Sequence, residues 1–388
     1  MSLEDFLEAK PLYYKEIDHQ RVHSAYALLK PHIKRPKTVH IVGTNGKGST
    51  GRILAYLAHQ SGVKVGHYTS PHILKFNERV WLDGQDASDE MLETAHQRLF
   101  AILGKEMSDG LSYFEYTTLL AFIVFEACDM MVLEAGLGGE YDATNVCDKE
   151  LSIITPIGLD HQAFLGESIE EIATSKINSI QKMVLLAPQP SAEVVDVAKK
   201  IAGGKGAELF LNEVFSIQHL GLKYEVEKIA QEKSWGGYLV DNAMVSLQAL
   251  EILGIGYDIN ALVKLELFER FYPITPNVRI DVGHNPLAAQ VIVKAMEPDT
   301  VLVYNSLDDK DYRTVLSTLK SKVKRVEIIL IDSQRATTLE AIEKAIVDTG
   351  LTYRYYDGTI NTEEHYLVFG SFYVVETFLK SMDHDVSK

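Results

Sequence analysis

Residues 38–59 constrain the fold of this chain more than any other stretch. The run Thr38-Val39-His40-Ile41-Val42 reads as a short buried strand, and residues 52–59 read as a helix. Between them lies Gly43-Thr44-Asn45-Gly46-Lys47-Gly48-Ser49-Thr50. Strand, glycine-rich turn and helix in that order make a phosphate-binding loop. The glycines let backbone N–H groups turn inward, and the N-terminus of the following helix favours an anion. Lys47 adds a mobile positive charge, and Ser49 or Thr50 offers a hydroxyl to a magnesium ion. The spacing is not the common one, which has four residues between the first glycine and the Gly-Lys pair. Here only Thr44 and Asn45 separate Gly43 from Gly46, and Gly48 stands where the hydroxyl residue usually does.

A chain of 388 residues is long enough for two or three domains, each with its own core. Its formal net charge of −16 argues against nucleic acid or an anionic membrane as partner, since both require a positive field. An anionic ligand then needs locally concentrated donors such as the loop amides, Lys47 and metal ions. Cys128 and Cys147 are the only cysteines and have no ligand spacing, so free thiols in a reducing compartment are expected. No secretory signal is read at the N-terminus, and the apolar stretch 119–133 is broken by Glu126 and Asp129. The chain reads as cytoplasmic.

Taken in order, residues 1–35 read as helical with breaks at Pro11 and Pro31. A second strand at 63–67 ends in the polar turn Tyr68-Thr69-Ser70-Pro71-His72, at the kind of sheet edge where α/β proteins bind ligands. Amphipathic and apolar helices are expected at 89–103 and 113–125. A buried strand at 130–133 carries Glu134 at its tip, where nucleotide enzymes hold magnesium, followed by Gly136, Gly138 and Gly139. The strand 151–155 leads to Gly158-Leu159-Asp160-His161, a histidine at the same edge. Ser168 caps a helix to 179 that contains Lys176, residues 203–206 read as a loop, and Asp241-Asn242 open a helix to 253. Pro273 and Pro276 mark a boundary. Beyond it strands at 279–282, 300–304, 325–331, 353–356 and 366–369 alternate with helices. The expected organisation is an N-terminal domain over 1–274, like that of P-loop nucleotide triphosphatases, and a smaller Rossmann-like α/β domain over 277–388.

As an ordered set these segments resemble the folylpolyglutamate synthase and dihydrofolate synthase family, within the Mur-ligase superfamily of ATP-dependent amide ligases. The segments are the 43–50 loop, Thr69-Ser70-Pro71-His72, Phe76 to Arg79, Phe114-Glu115, Glu134 to Gly139, Asp142-Ala143-Thr144-Asn145, Gly158 to His161, Lys176, Asp281, His284-Asn285-Pro286, Lys310-Asp311 and Gly370-Ser371. The unusual loop spacing is that superfamily's own version. The resemblance implies ATP contacts at Thr44, Asn45, Gly46, Lys47, Gly48, Ser49, Thr50, Asn242, Arg270 and Asp281. It implies two magnesium ions held by Ser70, Glu134, His161 and a carbamylated Lys176, and it leaves room for potassium. Asp18, Phe114, Glu115, Asp142 and Ala143 fall on the pterin side, and His284 and Ser371 face glutamate or ATP. Lys47, His161 and Lys176 are the residues expected to carry the chemistry.

The implied reaction passes the γ-phosphate of ATP to a pteroate or folate carboxylate, and L-glutamate then attacks the acyl phosphate as two domains close. A monomer acting on small molecules is expected. The alternative is a Mur-type ligase of cell-wall precursor synthesis, against which the Phe114-Glu115 and 142–145 segments argue. A non-catalytic nucleotide switch would not need Glu134, His161 and Lys176 together. This chain departs from the family pattern at Glu269, where glycine usually precedes the arginine matched to Arg270, so Arg279 is a rival for that contact. It departs also at Glu140-Tyr141 and at Val282-Gly283.

Overall fold

The computed structural model describes residues 1–10, 18 and 20–386. Pro11, Ile17 and His19 lie outside the described residues. The chain divides into two compact units, Met1–Val226 with Asp241–Leu265, and Glu227–Val240 with Glu266–Lys388.

The first unit is built on strands β1 (Lys37–Val42), β2 (Val65–Tyr68), β3 (Val80–Leu82), β4 (Gln85–Asp86), β5 (Met130–Glu134), β6 (Leu151–Ile154), β7 (Met183–Leu186) and β8 (Glu208–Leu211). They form one eight-stranded sheet in the order β4-β3-β2-β5-β1-β6-β7-β8. From β2 to β8 all neighbours are parallel, and the β2-β3-β4 edge is antiparallel. β1 is central, and burial on both faces explains its near-continuous apolar run. On one side Tyr68, Met131 and Leu133 join a core with helices Asp89–Gly110 and Tyr113–Val124. On the other, Val42, Ile154, Val184 and Leu186 pack with helices Ile169–Ile177 and Ala192–Lys205. Register sets the functional edge: Ile41 lies opposite Glu134, and Val42 opposite Ile154.

The second unit holds β9 (Tyr272–Thr275), β10 (Val278–Ile280), β11 (Thr300–Tyr304), β12 (Val323–Ile328), β13 (Tyr353–Tyr355) and β14 (Tyr366–Phe369). The sheet order is β13-β12-β11-β14-β10-β9, parallel except for β9. Its core gathers Ile292, Leu302, Leu316, Ile328, Ile346 and Phe369.

Three local expectations differ from the structure. The Pro273 stretch is not a linker but the edge strand β9, where a residue without an N–H is tolerated; the second unit therefore begins before the proline pair. Gly203 and Gly204 are not a loop but the last turn of helix Ala192–Lys205, which ends at the left-handed Gly206 (φ 64°). Asn242 does not cap a helix: its helix starts earlier, at Gly237, and runs to Ile252.

Candidate active site

The phosphate loop is shaped by two glycines whose neighbours leave no room for a side chain. Gly43 has φ 152°, and a Cβ there would lie 2.0 Å from Thr155 Oγ1. Gly46 has φ 86°, caps helix Lys47–Gln60, and would bring a Cβ to 2.9 Å from Asn242 Oδ1. The amides of Thr44 and Asn45 both donate to the Pro156 carbonyl, at 2.9 and 3.2 Å. Thr44 Oγ1 also exchanges hydrogen bonds with Gly158, 3.1 Å each way. Thr44 and Asn45 thus anchor the loop to the segment beyond β6. The helix Lys47–Gln60 that follows presents its first amides at the positive end of its dipole.

Lys47 folds back over this turn, donating to the carbonyls of Gly43 (3.3 Å) and Thr44 (3.2 Å) and standing 3.9 Å from Glu134 Oε1. Lys176 is buried and donates to the same Gly43 carbonyl at 2.9 Å, so it lies behind the loop. Glu134, buried at the tip of β5, accepts from the Thr69 hydroxyl and, at 3.4 Å, from the Ser70 amide. Thr69 is not among the site residues expected from sequence, although it stands in the polar turn and in the family segment beside Ser70. Asn242 Nδ2 and Thr50 Oγ1 are both buried without a hydrogen-bond partner. Buried polar atoms of that kind at a phosphate loop mark where a ligand completes the bonding.

The donors suit a hard divalent cation. The Glu134 carboxylate, the hydroxyls of Ser70 and Thr69, and the orphaned Thr50 hydroxyl are all oxygens, the class that magnesium and manganese prefer. Among the described residues no three His, Cys, Asp or Glu side chains cluster. The expected ligand set contains only two such residues, Glu134 and His161. His161 has a left-handed backbone (φ 52°), begins helix Gln162–Leu165 and has Nε2 4.0 Å from Asp160 Oδ1. It belongs to the segment that Gly158 ties to the loop.

An aromatic wall adjoins the Glu134 edge. Phe114 packs 5.8 Å from Tyr68 and against Gly136, where a Cβ would meet its ring at 2.7 Å. Arg79 Nε donates to His72 Nδ1 at 2.8 Å, and its guanidinium covers the Tyr113 ring at 5.2 Å. Burial, helped by Arg79, lowers the His72 pKa to about 4, so it is neutral. Glu115 closes a capping box with Ser112 and pairs with Arg21 at 2.8 Å. Both carboxylate oxygens of Asp142 are used within its own loop, Oδ2 by the Leu137 amide and Oδ1 by Thr144. Ala143 is buried in the turn that follows. Asp18 is exposed and accepts from the Gln20 amide.

No family model matches the chain. It is, however, 31% identical over 391 residues to the dihydrofolate synthase/folylpolyglutamate synthase of Escherichia coli (strain K12), covering 92% of this chain and 88% of that one. The chain belongs to the dihydrofolate synthase/folylpolyglutamate synthase family. Solved members of this family share the fold of this chain. Escherichia coli FolC in complex with DHPP and ADP matches with a TM-score of 0.84 at 26% identity, over 100% of this chain and 99% of that one. The bifunctional folylpolyglutamate synthase/dihydrofolate synthase solved with Mn, AMPPNP and L-glutamate bound matches with a TM-score of 0.79 at 25% identity, over 98% and 97%. The chain is an ATP-dependent ligase of this family, with nucleotide and divalent-metal use, and the Mur-type alternative is set aside.

The second unit carries the remaining family positions. Asp281 follows β10, is buried, and accepts from the Phe271 amide (2.9 Å), Tyr238 OH (3.0 Å) and the Gly283 amide (2.7 Å). Burial pushes its carboxyl up, and Arg270 opposes this. Arg279 donates to the Phe271 carbonyl at 3.0 Å and stacks on that ring, so it is engaged in the strand pair. Arg270 lies 3.5 Å from the carboxylate of Glu269. Glu269 has φ 78°, a conformation that favours glycine, which gives the family's usual glycine there a physical reason. His284 Nδ1 lies 3.1 Å from the Val282 carbonyl, and Ser371 Oγ accepts from the Val374 amide, capping the helix Phe372–Val386.

Proposed function

We propose that this chain joins L-glutamate to the carboxylate of dihydropteroate and extends reduced folates by further glutamates, as the bifunctional names of its relatives describe. The observation that carries the reading is the convergence of the Gly43–Gly46 turn, Lys47, Thr69, Ser70 and Glu134 at the ends of β1 and β5. A carboxylate is a poor acyl donor, so its oxygen first takes the γ-phosphoryl group of ATP, releasing ADP. The amine of glutamate then attacks the acyl carbon, phosphate leaves, and the amine gives up a proton.

Lys47 and the first amides of helix Lys47–Gln60 hold the phosphoryl charge, and Asn242, Arg270 and Asp281 bind the rest of the nucleotide. Ser70, Glu134, His161 and a carbamylated Lys176 hold two magnesium ions, with potassium as a further cation. Bound magnesium supplies positive charge to the phosphoryl oxygens. Phe114, Glu115, Asp142, Ala143 and Asp18 serve the pterin side, with His284 and Ser371 toward glutamate or ATP. No helix among the described residues is long and apolar enough to cross a membrane, in keeping with a cytoplasmic enzyme, here taken as a monomer.

The test is incorporation of radiolabelled glutamate with ATP, magnesium, carbon dioxide and potassium, with dihydropteroate and tetrahydrofolate offered separately. Absence of product with both acceptors would overturn the reading. Lys176→Ala should lose activity that Lys176→Arg does not restore, because a guanidinium does not form a carbamate. Full activity in Lys176→Arg removes the carbamate from the scheme.

A further inference from the structure

Behind the 136–145 loop runs a line of four buried polar side chains, of which only Asp142 has a role in the reaction above. Lys149 is 3% exposed, His40 and Thr144 are 0% exposed, and Asp142 is 7% exposed. His40 comes from β1, the strand that feeds the phosphate loop, and the other three flank the turn after Gly139. Lys149 Nζ touches the Asn145 side-chain oxygen, the Ser179 carbonyl at 2.9 Å and His40 Nδ1 at 3.4 Å. His40 Nε2 lies 2.8 Å from Thr144 Oγ1, which in turn lies 2.5 Å from Asp142 Oδ1.

Chemistry fixes the direction of every link. An ammonium only donates, so His40 Nδ1 accepts and its proton sits on Nε2. That proton points at the Thr144 oxygen, which leaves the threonine proton for Asp142. The backbone neighbours of the carboxylate are donors as well: the Thr144 amide to Oδ1 and the Leu137 amide to Oδ2, each at 2.9 Å, with the Gly136 amide beside them. The result is a one-way chain from a buried cation to a buried anion through a neutral imidazole. Burial, helped by Lys149, keeps His40 neutral, and Lys149, lowered to about 8 by burial, is still an ammonium at neutral pH.

We propose that Lys149 and His40 are positioning residues for acceptor binding: through Thr144 they hold Asp142 in its acceptor-only state and so fix the 136–145 loop as one wall of the pterin site. The proposal rests on the reading of Asp142 and Ala143 as pterin-side residues. Neither Lys149 nor His40 need touch a ligand. Their contribution is to a loop whose contacts with β1 would otherwise be a row of unpaired buried groups.

Steady-state kinetics on the full chain, varying dihydropteroate and ATP separately, test this in Asp142→Asn, Lys149→Met, Thr144→Val and the Lys149→Met/Thr144→Val double variant. Lys149→Met and Thr144→Val should each raise the KM for dihydropteroate about tenfold, roughly the worth of one charge-assisted hydrogen bond. The KM for ATP and kcat should change less than about twofold, and the double variant should be little worse than either single, as links of one chain are not additive. If Asp142→Asn leaves the dihydropteroate KM unchanged, the pterin-side reading itself fails. If Asp142→Asn raises it and Lys149→Met does not, the positioning role alone fails. Should the variants not fold, 15N NMR of the histidine rings in the unaltered protein decides. A neutral His40 protonated on Nε2 supports the chain, and an Nδ1–H tautomer or an imidazolium overturns it.

Discussion

Replacing Glu269 tests the backbone of the second unit directly. Its φ of 78° lies in the region that costs an L-residue roughly 1–2 kcal/mol and costs glycine almost nothing. Glycine in turn loses about 0.5–1 kcal/mol to alanine through the greater freedom of the unfolded chain. Taking about 1.5 kcal/mol for the first and about 0.75 for the second leaves glycine ahead of alanine by about 0.75 kcal/mol. In a helix interior the order is reversed by a similar amount. Both substitutions remove the 3.5 Å contact with Arg270, so that loss cancels between them. Trp235 is the second unit's only tryptophan, the other in the chain being Trp81. In a Trp81→Phe background, fluorescence therefore follows the second unit alone. Urea titrations should place the midpoint of Glu269→Gly above that of Glu269→Ala, by about 0.4 M for a slope near 2 kcal/mol/M. An alanine midpoint equal to or above that of glycine would refute the left-handed backbone.

Two further outcomes follow from the first unit. Gly43→Ala puts a methyl 2.0 Å from Thr155 Oγ1 and 2.9 Å from the Thr155 carbonyl, so the loop or the end of β6 must shift. Steady-state assays should show kcat/KM for ATP lowered about a hundredfold, the loss that an ångström of misplacement can cause, with the far-ultraviolet circular dichroism unchanged; wild-type kcat/KM would contradict it. Burial, with Arg52 adding to it, holds the His67 pKa well below its usual value. The unfolded chain therefore takes up a proton below about pH 6.5 that the folded chain refuses, and stability falls as the pH falls from there. His67→Gln should flatten that fall by up to about 1.4 kcal/mol per pH unit, read from urea melts by Trp81 fluorescence in a Trp235→Phe background; an unchanged slope would show His67 to be protonated in the fold.

What the sequence revealed depended on how local each interaction is. The phosphate loop was legible because strand, turn and helix are contiguous, and Glu134 because an acid ending an apolar strand breaks an otherwise uniform pattern. β11 and β14 were read with the bounds they have in the structure, being short apolar runs between turn residues. β9 was missed because Pro273 reads as a break unless the strand is known to lie at an edge, which is a fact about pairing rather than about sequence. Gly203 and Gly204 looked like a loop because glycine is a poor helix former, yet the packing of Val194, Val197, Ala198 and Ala202 carries the helix through them. The His40–Thr144–Asp142 line was invisible because its members lie 104 residues apart across the first link, and a histidine inside a strand looks like any other buried position. Glu115 and Asp142 were recognisable only through family likeness. Their hydrogen bonds to Arg21 and Leu137 could not have been inferred from spacing.

The pairing of β1 with β5 and β6 also governs where this chain can change length. Ile41 faces Glu134 and Val42 faces Ile154, so one residue inserted into any of these strands moves the following side chains to the opposite face of the sheet. In β5 such an insertion would take Glu134 from the edge it shares with Thr69 and Lys47. By contrast, Gly104 interrupts helix Asp89–Gly110 with φ 72°, and a Cβ there would meet no atom within 4 Å. Insertions and deletions among descendants of this sequence are thus channelled to such kinks, while the strand lengths beneath the nucleotide site are inherited as a fixed count.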